Sequence, residues 1–202
     1  MTNEFSIGTF GEGRVGKTCI LRRYLENKFD EEELSTTSAY NFEHIEEYNN
    51  QNYTLTIYDT AGQERYGNLT NQYINGLNGL FLVYDITSRE TFNKINMWVE
   101  RVKERLDINK VAIILIGNKC DCEDNREVSS EEGKNLANNL NVKFFETSAA
   151  TGHNIKEAFM ELLKKLIELN GESNLNKIKL KPEKKKKNFV VKIFLVCVFF
   201  FF

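Results

Sequence analysis

The chain has 202 residues, of which 41% are hydrophobic and 28% are charged, a composition that fits one globular domain with some additional sequence. No basic segment followed by a long apolar stretch opens the chain, so we expect no secretory signal and reduced cysteines in the cytosol. The net charge of −2 hides an acidic body and a basic end, because residues 171–202 carry eight lysines against Glu172 and Glu183. An acidic body argues against binding to nucleic acid.

The first predicted strand, Phe5–Phe10, leads into the stretch Gly11–Thr18, which has the pattern G-x-x-x-x-G-K-[ST] of a phosphate-binding loop. Glycines let such a loop turn several backbone N–H groups toward one point at the start of a helix, where they bind polyphosphate. In this pattern Lys17 reaches the β- and γ-phosphates, and the Thr18 hydroxyl is a ligand for Mg²⁺. We expect a helix from Thr18 to about Asn27. The sequence therefore predicts a nucleotide site near its start.

Strands and helices alternate along the rest of the chain. Two of the strands are predicted to form a hairpin across Asn49–Asn52, and two later ones are continuous apolar runs typical of central parallel strands. This alternation predicts an α/β fold with a doubly wound, mostly parallel six-stranded sheet and flanking helices. The predicted strands after the first are Tyr40–Tyr48, Tyr53–Tyr58, Leu80–Tyr84, Val111–Ile116 and Lys143–Glu146.

Capping patterns mark the predicted starts of the later helices. Thr87 with Glu90, and Ser129 with Glu132, each have the spacing of a capping box. Asn154 is the expected cap of the last helix, which carries a clean apolar stripe. The expected buried residues of the helix that follows Thr87 are Phe92, Ile95, Val99, Val102 and Leu106.

Polar residues follow the carboxyl ends of several strands, where ligands bind in such sheets. Asp59 can hold Mg²⁺ through water, the Gly62 N–H can contact a γ-phosphate, and Gln63 can orient an attacking water. Asp121, in the run Asn118–Asp121, can accept hydrogen bonds from N1 and the 2-amino group of guanine, donors that adenine lacks. In the segment after the last strand, the Ala149 N–H can contact the guanine O6.

These ordered motifs resemble those of small GTPases of the Ras superfamily, and specifically of Rab proteins, over about residues 5–170. We therefore interpret residues 1–170 as the GTP-binding domain and residues 171–202 as a tail without fixed structure. Glu12 and the run Tyr24–Phe29 are similar to endocytic Rabs. Further Rab-like stretches are Tyr53–Asp59, Arg65–Tyr66 with Tyr73, Leu82–Thr87, and Phe92 with Trp98.

The resemblance implies GTP/GDP and Mg²⁺ as ligands, a GTPase that is slow without an activating protein, and control of vesicle and membrane traffic. Implied nucleotide contacts are Gly13, Arg14, Val15, Gly16, Lys17, Thr18, Cys19, Phe29, Thr36, Gly62, Asn118, Lys119, Asp121, Ser148, Ala149 and Ala150. Implied Mg²⁺ ligands are Thr18, Thr36 and Asp59, and implied catalytic residues are Gln63 and Lys17. The switch threonine is ambiguous between Thr36, favoured by its distance from Thr18, and Thr37, favoured by the local string.

The chain departs from the Rab pattern at five positions. Arg14 replaces a small residue and either faces solvent or adds positive charge near the phosphates. Ser38 replaces a glycine, and Asn41 and Tyr58 replace aromatic residues of an effector-binding triad. Ala150 replaces the lysine that commonly covers the base. Ser38, Asn41 and Ala150 leave an alternative open, namely a nucleotide-binding Rab-like interaction module with little or no GTP turnover.

The end of the chain lacks the prenylation motif expected of a Rab, since Cys197 is not in a terminal position. Lys184–Lys187 followed by the apolar run Phe189–Phe202 favours shallow insertion into an anionic membrane surface. That run would span only about 21 Å as a helix, too short for a bilayer core of roughly 30 Å. The alternative is that these last residues are a wrongly assigned end of the reading frame. We expect a monomer on the cytosolic face of an intracellular membrane, with an endosomal membrane as one candidate.

Overall fold

The computed structural model describes residues 3–30, 40–59 and 74–179, with Tyr40 and residues 172–179 described by their backbone alone. Within these ranges, six strands form one sheet in the order β2-β3-β1-β4-β5-β6. Only the β2–β3 pair is antiparallel, which confirms the predicted doubly wound, mostly parallel sheet. The strands are β1 (Glu4–Phe10), β2 (Tyr40–Tyr48), β3 (Gln51–Asp59), β4 (Gly79–Asp85), β5 (Ala112–Asn118) and β6 (Lys143–Thr147).

Helices connect the parallel strands and cover both faces of the sheet. β4 and β5 are buried along their whole length, as their continuous apolar sequences predict. Alternate β4 residues point to opposite faces: Phe81 packs with Phe159, whereas Leu82 belongs to the cluster around Trp98. The α-helices are α1 (Lys17–Glu26), α2 (Arg89–Asn93), α3 (Ile95–Lys103), α4 (Ser130–Leu140) and α5 (Ile155–Lys179).

The β2–β3 hairpin turns more tightly than predicted. Tyr48 pairs directly with Gln51, so β3 begins two positions before Tyr53 and the connection is only Asn49–Asn50. Both asparagines have left-handed backbone angles, φ 52° and 60°. This is the two-residue turn with positive φ at both central positions, which asparagine tolerates better than most residues.

The predicted capping box at Thr87 and Glu90 is wrong. Ser88 is the N-cap of α2, without a side-chain capping hydrogen bond, and the Thr87 hydroxyl donates instead to Asp85 Oδ1 at 2.7 Å. The Glu90 carboxylate pairs with Lys94 Nζ at 2.7 Å, at the junction where α2 gives way to α3. The Thr87 hydroxyl therefore binds the Asp85 carboxylate at the end of β4 and does not cap the helix.

The packing of this helical region follows the prediction in part. Ile95, Val99 and Val102 are buried, whereas Phe92 and Leu106 are only partly buried. The second predicted capping box is confirmed: the Glu132 N–H donates to Ser129 Oγ at 3.3 Å, and the Ser129 N–H donates to Glu132 Oε2 at 2.9 Å.

The last helix, α5, continues to Lys179, beyond the predicted domain boundary at residue 170. Asn154 precedes it, and its backbone carbonyl accepts the Ala158 N–H at 3.1 Å. Among the described residues, no helix is both long enough and apolar enough to span a bilayer. The predictions for Lys184–Lys187 and for the apolar run after them lie outside the described residues.

Candidate nucleotide-binding site

The phosphate loop between β1 and α1 requires glycine at both ends. Gly11 has φ 146°, and a Cβ there would lie 2.0 Å from the Val83 carbonyl oxygen. Gly16 is the N-cap of α1 with φ 92°, and a Cβ there would lie 2.3 Å from Asn118 Nδ2. A side chain at Gly11 would clash with the β4 backbone, and one at Gly16 would displace the Asn118 amide, so the loop lies directly against β4 and the polar end of β5.

Lys17 lies inside this loop, with only 4% of its surface exposed. Its ammonium donates to the carbonyl oxygens of Gly11 at 2.7 Å and Glu12 at 2.6 Å. The Glu12 carboxylate pairs with Lys94 Nζ at 3.0 Å, which connects the loop to the α2–α3 junction. Arg14 has a left-handed φ of 64°, and its side chain is exposed.

Two of the three predicted Mg²⁺ ligands lie side by side. Thr18 Oγ1 donates to Asp59 Oδ2 at 2.8 Å, although the residues are far apart in sequence, and Asp59 is fully buried. Hydroxyl and carboxylate oxygens suit Mg²⁺, which usually takes one or two protein carboxylates together with waters and phosphate oxygens. The described residues contain no group of three or more His, Cys, Asp or Glu that could hold a metal. The donor set therefore fits Mg²⁺ shared with a phosphate.

Asn118, at the end of β5, joins the phosphate loop to β6. Its Nδ2 donates to the Val15 carbonyl at 2.9 Å, and its Oδ1 accepts from Thr147 Oγ1 at 3.1 Å. Asn118 is 1% exposed, so both hydrogen bonds are shielded from water. Because it is costly to leave a buried amide without its partners, this side chain fixes the spacing between the phosphate loop and the end of β6.

Lys119 and Asp121 follow on the same segment. Lys119 has φ 67°, and its ammonium pairs with Asp85 Oδ2 at 2.5 Å. The Asp121 carboxylate is exposed. Burial acts to raise the pKa of Asp121, but hydrogen bonds from Ser148, from its own backbone N–H and from Cys122, with the charge of Lys119, outweigh it and lower the pKa. Asp121 is therefore an ionised acceptor facing solvent.

The segment after β6 forms a tight loop. Its Ser148 and Ala149 are buried, and Ala150 is half-buried. Ser148 Oγ accepts the Thr151 N–H at 3.0 Å, and the Ser148 carbonyl accepts the Gly152 N–H at 2.8 Å. The loop backbone is thus held by its own hydrogen bonds next to the Asp121 carboxylate.

Three residues that build this end of the site were missed by sequence reasoning. Arg23 on α1 donates to the carbonyls of Ala149 and Ala150, both at 2.7 Å. Asp85 holds Lys119, and Thr147 holds Asn118. The only sequence signal for the last two was their position at the carboxyl end of a strand.

The remaining predicted residues divide by location. Gly13 and Cys19 are half-buried in and after the phosphate loop, and Phe29 is 36% exposed beyond the end of α1. Thr36 and its rival Thr37 lie outside the described residues, as do Gly62 and Gln63. The described part of the site therefore brings together the phosphate loop, two of the predicted metal ligands and the segments predicted to bind the base.

Comparison with known proteins agrees with this geometry. Residues 7–168 match the model of the Ras family. The chain is 41% identical to "GTP-binding protein ypt2" of Schizosaccharomyces pombe, covering 77% of this chain and 78% of that one. It is 37% identical to "Ras-related protein Rab-8A" of Gallus gallus, covering 91% and 92%, and 38% identical to "Ras-related protein Rab-21" of Bos taurus, covering 83% and 75%. The chain therefore belongs to the Ras family and is a Rab-type small GTPase.

Proposed function

We propose that this GTPase is a molecular switch that binds GTP or GDP with Mg²⁺, hydrolyses GTP slowly and thereby changes partners in vesicle and membrane traffic. The observation that carries the proposal is the buried Asn118 amide, which holds the Val15 carbonyl and the Thr147 hydroxyl at once. This amide supports one continuous site for a base at one end and a polyphosphate at the other.

At the phosphate end, the backbone N–H groups from Gly13 to Thr18 would bind the β- and γ-phosphates. The Lys17 ammonium, now on the carbonyls of Gly11 and Glu12, would reach the same phosphates and stabilise the charge that develops during transfer. Lys17 also contributes to catalysis in this way.

The metal ligands would be Thr18, Thr36 and Asp59, with Asp59 acting through water. When bound, Mg²⁺ neutralises charge on the phosphate oxygens. The hydrogen bond from Thr18 to Asp59 supports this assignment, because it holds both oxygen-bearing side chains at one point. Thr36 on the first switch segment would order that segment only in the GTP state.

Hydrolysis would follow attack of a water on the γ-phosphorus, with loss of the bond to the β-phosphate oxygen and release of GDP and phosphate. Gln63 would orient that water, and the Gly62 N–H would bind the γ-phosphate. Without a partner we expect a rate of about 10⁻⁴ to 10⁻² s⁻¹, and an activating protein would raise it on the order of 10³ to 10⁵-fold. Loss of the γ-phosphate then releases both switch segments.

At the other end, guanine would be recognised by three groups. The ionised Asp121 would accept from N1 and the 2-amino group, and the Ala149 N–H would donate to O6. Phe29 would stack on the base, consistent with its exposed ring. The Lys119 stem, held by Asp85, would border the same pocket.

We further propose that exchange factors, activating proteins and effectors bind through the switch segments of a monomer. The basic run Lys184–Lys187 would attract an anionic membrane, each lysine near the surface contributing on the order of 1 kcal/mol. The site of action would be the cytosolic face of an intracellular membrane, with endosomes as one candidate. The acidic body makes nucleic acid an unsuitable partner.

Single-turnover hydrolysis of GTP by the full chain tests the proposed switch. We expect slow turnover that Gln63→Leu reduces at least about 10-fold, as for loss of a water-positioning group. Gln51→Leu makes the same change at the hairpin and should leave the rate unaltered. If GTP binds but neither the wild type nor Gln63→Leu turns it over, the chain is instead an interaction module, as its Ser38, Asn41 and Ala150 would suit.

A further inference from the structure

One guanidinium crosses from α1 to the loop after β6. Arg23 Nε donates to the Ala149 carbonyl and Arg23 Nη2 donates to the Ala150 carbonyl, both at 2.7 Å. Such short, charge-assisted bonds are stronger than neutral ones, and the fixed fork of arginine matches two neighbouring acceptors. Arg23 is only partly exposed, so water competes weakly for these carbonyls.

The same guanidinium also holds the end of its own helix. Arg23 Nη1 donates to the backbone carbonyl and to the side-chain oxygen of Asn27, both at 3.1 Å. Asn27 is the left-handed C-cap of α1 with φ 53°, and the chain reaches Phe29 two residues later. Arg23 thus joins the segment that leads to Phe29 with the loop that contains Ala149.

Gly152 of the same loop lies beside the stem of Arg23. It has φ 84°, and a Cβ there would lie 3.6 Å from Arg23 Cδ, at ordinary contact distance. The Gly152 N–H donates to the Ser148 carbonyl at 2.8 Å, which closes the turn that contains Ala149 and Ala150.

We propose that Arg23 is a positioning residue for the guanine base. It holds the Ala149 N–H at the position that contacts O6 and fixes the segment leading to Phe29, and it thereby slows nucleotide release. The inference rests on the proposed guanine site. It has particular weight in this chain because Ala150 provides no long side chain to cover the base.

Dissociation of a fluorescent GDP from Arg23→Gln and Arg23→Lys, in the full chain, tests the proposal. We expect Arg23→Gln to release GDP about 10- to 100-fold faster, because it removes several bonds from a charged donor. Arg23→Lys keeps the charge but loses the two-pronged guanidinium, so its rate of GDP release should lie between those of the wild type and Arg23→Gln. Arg89→Gln is the matched control: its guanidinium joins Glu132 and the Glu127 carbonyl instead, and its GDP release should stay within about 2-fold of wild type.

A second measurement separates positioning from general loosening. 6-Thio-GDP keeps the N1–H and 2-amino donors of GDP but has sulfur, a weaker hydrogen-bond acceptor, in place of O6, so its binding should weaken less than that of GDP in Arg23→Gln. Unchanged GDP release in both Arg23 variants, or equal weakening of both ligands, would overturn the proposal. If the wild type fails to prefer GDP over ADP, the guanine site itself is wrong and the inference falls with it.

Discussion

The phosphate end and the base end of the site are built in different ways. At the phosphate end, Lys17 bonds to Gly11 and Glu12 within one contiguous loop. At the base end, Arg23 reaches Ala149 across most of the chain. The contacts of Lys17 lie within the phosphate loop, which Asn118 links to β5 through the Val15 carbonyl, whereas the contacts of Arg23 exist only because α1 packs next to the loop after β6. The two ends should therefore respond differently to substitution.

The largest effect should come from Gly16→Ala, because Gly16 lies against Asn118, the residue that links the phosphate end to the base end. The new Cβ would be 2.3 Å from Asn118 Nδ2 and would occupy a φ of 92°, which costs an L-residue about 1–2 kcal/mol before any clash. We expect GDP affinity, measured by titration calorimetry, to fall at least about 100-fold. Gly76→Ala is the control, with φ 88° but nothing within 4 Å of the new Cβ.

Comparison of Gly16→Ala with Gly76→Ala separates the effect of backbone strain from that of the clash with Asn118. Gly76→Ala should lower the melting temperature slightly and leave GDP affinity unchanged. Equal losses of affinity in both variants would mean that the contact between the phosphate loop and Asn118 does not matter.

A smaller effect, confined to the base end, is expected from Asp121→Asn. Removing a charged acceptor should weaken GDP binding about 10- to 100-fold and shift the preference toward xanthine nucleotides, whose 2-oxo group suits an amide donor. Asp124→Asn makes the same change at a nearby exposed carboxylate and should not alter the preference. Competition of GDP and XDP against a fluorescent nucleotide measures both outcomes, and an unchanged preference in Asp121→Asn would contradict the assigned role.

Asp85→Asn should have a moderate effect through Lys119. The amide keeps an oxygen for the Thr87 N–H and hydroxyl but loses the ion pair at 2.5 Å. We expect GDP dissociation to accelerate about 3- to 10-fold, since a partly buried ion pair is worth more than an exposed one. Asp107→Asn breaks a comparable pair with Lys110 on the surface and should leave the rate unchanged. Equal rates in the two variants would show that Asp85 does not position Lys119.

The smallest effect concerns the charge of Asp121 itself. Ser148→Ala removes one hydrogen bond and should raise the pKa of Asp121 toward its usual value of 3.8, as followed by NMR titration. Because its pKa is lowered by folding, Asp121 contributes to the free energy of unfolding. This contribution is fully present above pH 3.8 and is lost as the pH falls through the lowered pKa. Ser148→Ala should make the contribution smaller. Neither protein should show pH-dependent GDP binding from this group between about pH 5 and 8. If the pKa of Asp121 is the same in Ser148→Ala and the wild type, Ser148 does not lower it.

More of the phosphate end than of the base end could be predicted from the sequence. Gly11–Thr18 was predictable because its glycines, lysine and threonine are contiguous and their spacing is itself the signal. Asn118 and Asp121 came from a second short motif. Arg23 gave no signal, because its partners are backbone carbonyls that any residue supplies, and their proximity exists only in the folded sheet.

The error at Thr87 has a related cause. A capping box is a local pattern, but the Thr87 hydroxyl had a stronger acceptor in the Asp85 carboxylate, fixed at the end of β4. At Ser129 the hydroxyl donates to the Glu132 carboxylate of the capping box itself, at 2.8 Å, and the local pattern held although Arg89 also binds that carboxylate. The local rule therefore held where the strongest acceptor for the hydroxyl belongs to the pattern.

The position of β2 at the edge of the sheet bears on how the protein behaves at high concentration. An edge strand offers backbone hydrogen bonds to other chains, and Ile45, 65% exposed, would favour such pairing between copies. Glu43 and Glu47 flank it on the same exposed face. Two copies that approach through this edge would bring four carboxylates together, and we expect their mutual repulsion to oppose pairing of the strands.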